Sequence, residues 1–138
     1  MRDSQDRSDR AVDAAITAGA SFMVETVLSS DKFKAKVTRA ISAGFRFGLV
    51  FVTVDAVDMN IARVSDRVAK GGHDVPADRV AARRLRSHAA FGWFAHAAHM
   101  GFLFDNTVRP VLVAEKPDGA AAWTVHDASR HPDLTGQL

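Results

Sequence analysis

The residues best placed to do chemistry in this chain are arginines in two helical stripes. Arg63, Arg67 and Lys70 recur at spacings of four and three, which puts them on one face of a helix, opposite much of the apolar side formed by Val57, Ile61, Val64 and Val68. Arg79, Arg83 and Arg86 repeat the device on a second helix, with Arg84 off the stripe, and the connector Gly71-Gly72-His73-Asp74-Val75-Pro76 sets the two helices against each other. A guanidinium is always charged and can donate two hydrogen bonds to one phosphoryl group, so converging arginine stripes suit a multiply charged phosphate and stabilise charge during its transfer. The same spacing also describes two solvated helix faces. Glu25 is the other candidate: it lies inside the otherwise apolar Phe22-Met23-Val24-Glu25-Thr26-Val27-Leu28, where burying an unpaired charge is costly. It therefore stands at a strand end or serves a function, and near the carboxyl end of a strand it could accept hydrogen bonds from a substrate hydroxyl.

Other groups carry less. His96 and His99 are spaced for a shared metal on one helix face, but no acidic or cysteine partner stands in register, so no metal site is expected. His73 reads as a lock for its glycine-rich connector. Asp105-Asn106 reads as a polar strand end making a turn as readily as a group near a nucleotide, and is left out of the core site. Trp93 and Trp123 do not alternate with arginines as base-stacking platforms do, and read as core or interface.

The elements that must position these residues alternate between helix and strand. A helix is expected from Ala11 to a stop at Gly19, preceded by a solvated polar lead-in over residues 1–10. Ser21 to Leu28 reads as a strand, and Ser29, Ser30 and Asp31 offer capping oxygens to a helix carrying Phe33, Val37, Ala40 and Ile41 that ends near Gly44. Phe47 to Val54 reads as a strand buried on both faces. Asp55 or Asp58 can cap a third helix through Val68, ended by Gly71-Gly72, and Pro76 and Asp78 open a long helix to about His99 with Val80, Phe91, Phe94 and Ala98 on its buried side. Gly101 to Asn106, Val108 to Glu115 and Ala121 to His126 read as strands, the last two joined through the turn residues Lys116-Pro117-Asp118-Gly119 into a hairpin. This order predicts an α/β domain with a mainly parallel sheet, flanked by helices, and an antiparallel C-terminal edge. Two clear buried strands and a late hairpin are few for a doubly wound sheet, so something is expected to be missing on the N-terminal side.

At 138 residues the chain has the size of one domain, and 47% hydrophobic against 25% charged residues excludes a disordered or collagen-like polymer. The absence of cysteine removes disulfides, thiolate ligands and thiol nucleophiles, so chemistry falls to oxygen and nitrogen groups. A net charge of +2 is too small for a generic polyanion binder, and nucleic acid is not an expected partner. The longest apolar run, Phe47 to Val54, is far short of the roughly 18 residues a membrane helix needs, and Met1 to Arg10 lacks the apolar core of a secretory signal. A cytoplasmic protein without a membrane partner is expected.

The pattern Ser21-Phe22 with Glu25-Thr26-Val27-Leu28-Ser29, then Arg63-Val64, Arg67-Val68, Gly71-Gly72-His73-Asp74-Val75-Pro76, Arg83, Arg86-Ser87 and Asp105-Asn106-Thr107 resembles the zeta toxin family, with the motifs in family order from about Ala11 to Thr107. The resemblance implies a P-loop kinase fold that uses ATP and magnesium, with toxin members phosphorylating a hydroxyl of a UDP-activated amino sugar and some accompanied by an antitoxin protein. It places Glu25 and Thr26 at the substrate pocket. It places Arg63, Arg67, Arg83 and Arg86 at phosphate, with Arg67, Arg83 and Arg86 in the catalytic, arginine-bearing lid.

The chain departs from the family in having no Gly-x-x-x-x-Gly-Lys-[Ser/Thr] segment, the loop that wraps ATP phosphates with backbone amides and a lysine, nor the Asp base that follows it. Arg84 stands where the family usually has an aromatic residue, and Met100-Gly101 where an Ala-Asp pair is common. The expectation is one zeta-toxin-like domain over residues 1–138, incomplete at its N-terminus: a partial P-loop kinase-like sheet with a C-terminal hairpin. It would be either a kinase fragment without its ATP phosphate loop or a non-catalytic remnant that binds a nucleotide sugar or a protein partner.

Overall fold

The computed structural model describes residues 2–55, 69 and 77–138. Their elements are α1 (Arg2–Ala18), α2 (Lys32–Ser42), β1 (Gly48–Thr53), α3 (Ala77–Ala97), β2 (Met100–Asp105), β3 (Val111–Lys116), β4 (Thr124–Val125) and a short α4 (Pro132–Thr135). The strands form one sheet in the order β1-β2-β3-β4, with β1 parallel to β2 and the two later pairings antiparallel. This is a mixed α/β fold flanked by helices, and the C-terminal hairpin is β3–β4. Parallel pairing is confined to β1 and β2, which lie in direct register from Gly48 opposite Met100 to Thr53 opposite Asp105. The expected third helix, His73 and the Gly-Gly connector lie outside the described residues.

The core lies on one face of the sheet. Leu49 and Phe51 of β1, Leu103 of β2 and Val113 and Ala114 of β3 pack against Phe91, Phe94, Ala95 and Ala98 on and just beyond α3, and Leu134 of α4 closes the cluster. Phe91 supplies much of the fit, its ring lying 4.9 Å from that of Phe51 and 6.1 Å from that of Trp123 in edge-on geometry. The expected apolar side of α3 is therefore seen at Phe91, Phe94 and Ala98, with Val80 half-buried nearer its start. The helix continues through Gly92 because the Gln137 amide fits there: Gly92 N donates to Gln137 Oε1 at 2.8 Å, and Gln137 Nε2 donates to His88 O at 2.8 Å. A Cβ at residue 92 would stand 2.7 Å from that Oε1.

Several sequence expectations are corrected, first among them the mainly parallel sheet, since among the described strands one pairing of the three is parallel. β1 is not buried on both faces: its residues alternate between exposed and buried, with Val50 64% and Val52 56% exposed, because the described helices pack on one side only. The polar lead-in is not a free tail. Residues 2–10 are the first turns of α1, which lies along α2 through the Asp9–Lys32 pair, Lys36 Nζ to Asp13 Oδ1 at 2.8 Å, and Arg39 Nη2 to Thr17 Oγ1 at 2.8 Å, over a small cluster of Val12, Ile16 and Ala40. Nor is Ser21 to Leu28 a strand. The ascending order of those contacts makes α1 and α2 run the same way, so residues 20–29 must travel back along α1 as an irregular link and reach no sheet edge. Asp31 is the N-cap of α2 but makes no side-chain capping bond; its carboxylate pairs with Lys34 instead, at 3.1 Å.

Candidate functional site

In open α/β sheets ligands gather beyond the carboxyl ends of parallel strands, here the ends of β1 and β2. Asp55 and Asp105 stand there, each at the close of an apolar strand. Asp105 is fully buried, its Oδ1 accepting from Thr107 N at 2.7 Å and Thr107 Oγ1 at 2.5 Å, and its Oδ2 from Arg130 Nη1 at 3.1 Å. Burial alone would raise its pKa, but the Thr107 hydroxyl and amide, Arg130 and the His131 ring together hold it down at about 2. Thr107 Oγ1 in turn accepts from Asp55 N at 3.0 Å, which ties the two strand ends together.

His131 completes this cluster from the C-terminal segment. Its side chain is 3% exposed, and Nε2 lies 3.2 Å from Asp105 Oδ2 and 3.4 Å from Asp55 Oδ1, aligned for a hydrogen bond with neither. Beside it His88, on α3, places Nδ1 2.6 Å from Asp133 Oδ2 and Nε2 2.9 Å from Thr53 Oγ1. Burial lowers the pKa of His88 against the opposing pull of the Asp133 carboxylate. A carboxylate only accepts, so Nδ1 carries the proton and neutral His88 receives the Thr53 hydroxyl at Nε2.

The arginines divide by role. Arg84 closes the end of β1, with Nη1 on Val54 O at 2.7 Å and Thr53 Oγ1 at 3.2 Å. Arg86 Nε donates to Ser29 O at 2.9 Å and so fastens the Glu25-Thr26 segment to α3. Arg83, half-buried, and Arg79, exposed, make no hydrogen bond or ion pair among the described residues. Arg63 and Arg67 lie outside the described residues. Glu25 and Thr26 are both exposed, and Met23 beside them is 98% exposed, so the argument from a costly buried carboxylate fails because the segment never enters the sheet.

The expected helical pair of histidines does not converge either, because α3 ends at Ala97 and leaves His99 beyond it: His96 Nε2 meets Gln137 O at 2.7 Å, whereas His99 Nδ1 accepts from Phe47 N at 2.8 Å. Trp123 belongs to the core, with Nε1 on Ala95 O at 3.0 Å. A shallow depression lined by Arg46, His96, His99 and Lys116 lies at the opposite end of β2 and holds no carboxylate. Sequence reasoning missed Asp55 and His131 as site residues and set Asp105 aside. Asp55 and Asp105 were findable as the acids that directly follow Val-Phe-Val-Thr-Val and Gly-Phe-Leu-Phe, whereas nothing in Ser-Arg-His-Pro marks His131.

The model of the zeta toxin family matches residues 2–118, from the start of α1 to the β3–β4 turn. The chain belongs to the zeta toxin family. The match takes in Glu25, Thr26 and the arginines of α3, and it assigns this zeta toxin domain to a family of P-loop kinases that use ATP. His131 and Arg130 lie beyond the matched residues. No curated protein matches the chain, and no solved structure does. Among the described residues no helix is long and apolar enough to cross a membrane.

The donor set can be tested against the family's ATP and magnesium. No Gly-Lys pair occurs anywhere in the 138 residues, so the backbone-and-lysine cradle for ATP phosphates is not among them. Asp55 and Asp105 are the carboxylates that face each other across the strand ends. An imidazole nitrogen and the Arg130 guanidinium share their oxygens, a poor setting for a hard, oxygen-seeking magnesium ion. These residues do not fit magnesium-ATP.

Proposed function

We propose that this zeta toxin domain carries the acceptor side of an ATP-dependent kinase, acting on a hydroxyl of a small molecule such as a UDP-amino sugar. The observation that carries the reading is the family match, which spans the Glu-Thr motif and the arginine helix in one stretch. Its geometry is supported by the Arg86–Ser29 bond, which holds the Glu25-Thr26 segment against the helix that bears Arg83. In this reading Glu25 and Thr26 accept and orient the substrate hydroxyl groups. Arg83, with Arg63 and Arg67, binds phosphate oxygens, and Arg86 keeps the segment in place while its terminal nitrogens reach phosphate. Transfer is then a matter of positioning and charge neutralisation. The protein acts in the cytoplasm, with an antitoxin as its protein partner.

The missing Gly-Lys cradle favours a second reading, binding of a nucleotide sugar without transfer. One experiment separates them. The purified chain is titrated with a UDP-amino sugar by calorimetry, then incubated with γ-labelled ATP, magnesium and the same sugar. Saturable binding that Glu25→Gln and Arg83→Gln each weaken supports the acceptor site. Label on the sugar supports the kinase, and binding without label supports the second reading. No saturable binding overturns both.

A further inference from the structure

We propose that Asp55, Asp105 and His131 form a binding site for one divalent first-row transition-metal ion. The inference does not rest on the kinase reading, since His131 lies outside the residues the family accounts for. It starts from His131 Nε2, a ring nitrogen in a side chain 97% buried that has no hydrogen-bond partner among the described residues although two carboxylates flank it. Leaving a buried nitrogen without a partner is unfavourable, and a ligand would remove that penalty.

The spacing supports a metal as that ligand. Two atoms each about 2.1 Å from one ion and about 90–109° apart stand roughly 3.0–3.4 Å from each other. Nε2 stands 3.2 Å from Asp105 Oδ2 and 3.4 Å from Asp55 Oδ1, and all three ligand atoms lie within 4.8 Å of one another. One imidazole with two carboxylates selects an ion such as zinc or cobalt over magnesium or calcium, which prefer oxygen alone. Access comes from the Asp55 side, where the side chain is 60% exposed, can adjust to the ion and leaves room for water in the remaining positions.

The opposing group is Arg130. Its Nη1 sits 3.1 Å from Asp105 Oδ2, the oxygen that would ligate, while its Nε holds Asp127 Oδ2 at 3.1 Å. The Arg130 side chain is 40% exposed, so it can swing outward on Asp127 when an ion takes its place. Arg130 thus tunes affinity, and the site is strengthened by removing it.

The test is a titration of the full chain with cobalt chloride, followed by calorimetry and by the visible absorption of the bound ion. The expected result is one equivalent bound with a spectrum of mixed nitrogen and oxygen ligation. Arg130→Gln should bind about tenfold more tightly, since it removes a partly exposed positive charge beside a ligand. His131→Asn and Asp105→Asn should each lose at least about 100-fold. Asp55→Asn alters an exposed carboxylate, leaves the fold intact and should weaken binding by at least about tenfold, which keeps the test decisive if the buried variants do not fold. Two results overturn the proposal: no saturable uptake by both the natural chain and Arg130→Gln, or uptake that Asp55→Asn and Arg130→Gln leave unchanged, which would put the ion elsewhere.

Discussion

Replacing Asp105 with asparagine removes one charge from the centre of the strand-end network while keeping the side chain's shape. The amide oxygen can still accept from Thr107, but the amide nitrogen then faces Arg130 Nη1, a donor against a donor. The size of the loss follows from the carboxyl's depressed pKa. A fall from 3.8 to about 2 means that folding favours the ionised form by roughly 2 kcal/mol. Because the folded pKa lies below the unfolded one, this stabilisation is complete above about pH 5 and is lost as pH falls through the unfolded value of 3.8 towards about 2. Asp105→Asn should therefore cost about 2–3 kcal/mol at pH 7, or roughly 6–12 °C in melting temperature for a chain of this size. Urea unfolding followed by circular dichroism at pH 7 and pH 3 measures both halves of the argument. The gap between natural chain and variant should close by about 1 kcal/mol at the lower pH. A variant within about 0.5 kcal/mol of the natural chain at pH 7, or a gap that does not narrow at pH 3, would refute the reasoning.

Other expectations concern the packing around that network. His88 has its pKa lowered by burial, so the unfolded chain takes up a proton first on acidification; stability should fall as pH drops below about 6.5, and His88→Gln should flatten that slope in melts from pH 7.5 to 5.5. Gly101→Ala places a Cβ 2.6 Å from Trp123 Cη2 and 2.9 Å from Leu49 O, so backbone must shift, and thermal melts should show a loss of about 1–3 kcal/mol. Phe91→Ala empties the centre of the core and should cost about 3–5 kcal/mol in denaturant unfolding. Arg84→Ala frees Val54 O and Thr53 Oγ1 and should cost about 1–2 kcal/mol, with faster amide exchange at the end of β1.

Much of the scaffold was legible because it rests on local signals. The stop at Gly19, the stripe of Phe91, Phe94 and Ala98, and the turn at Pro117-Asp118-Gly119 each declare themselves within a few residues. What failed depended on partners far along the chain. Val50 and Val52 look like core residues because β-branched apolar side chains mark a strand, but whether a second face is covered is decided by which helices pack there. Ser21 to Leu28 has the composition of a strand, and the parallel course of α1 and α2 denies it a sheet edge. The strand-end network joins Thr53 and Asp55 to His88, Asp105 and His131, residues that only the folded topology brings together, so spacing rules had nothing to act on.

The pairing of β1 with β2 also sets an order of events in time. Gly48 and Met100 are about 50 residues apart, so joining these strands closes a long loop before any contact rewards it, whereas β2, β3 and β4 are connected by short turns. The antiparallel meander can assemble early and serve as the template, and β1 docks late. Docking of β1 is also the step that brings Thr53 and Asp55 to Asp105 and His131, so the strand-end cluster forms only when the sheet is complete.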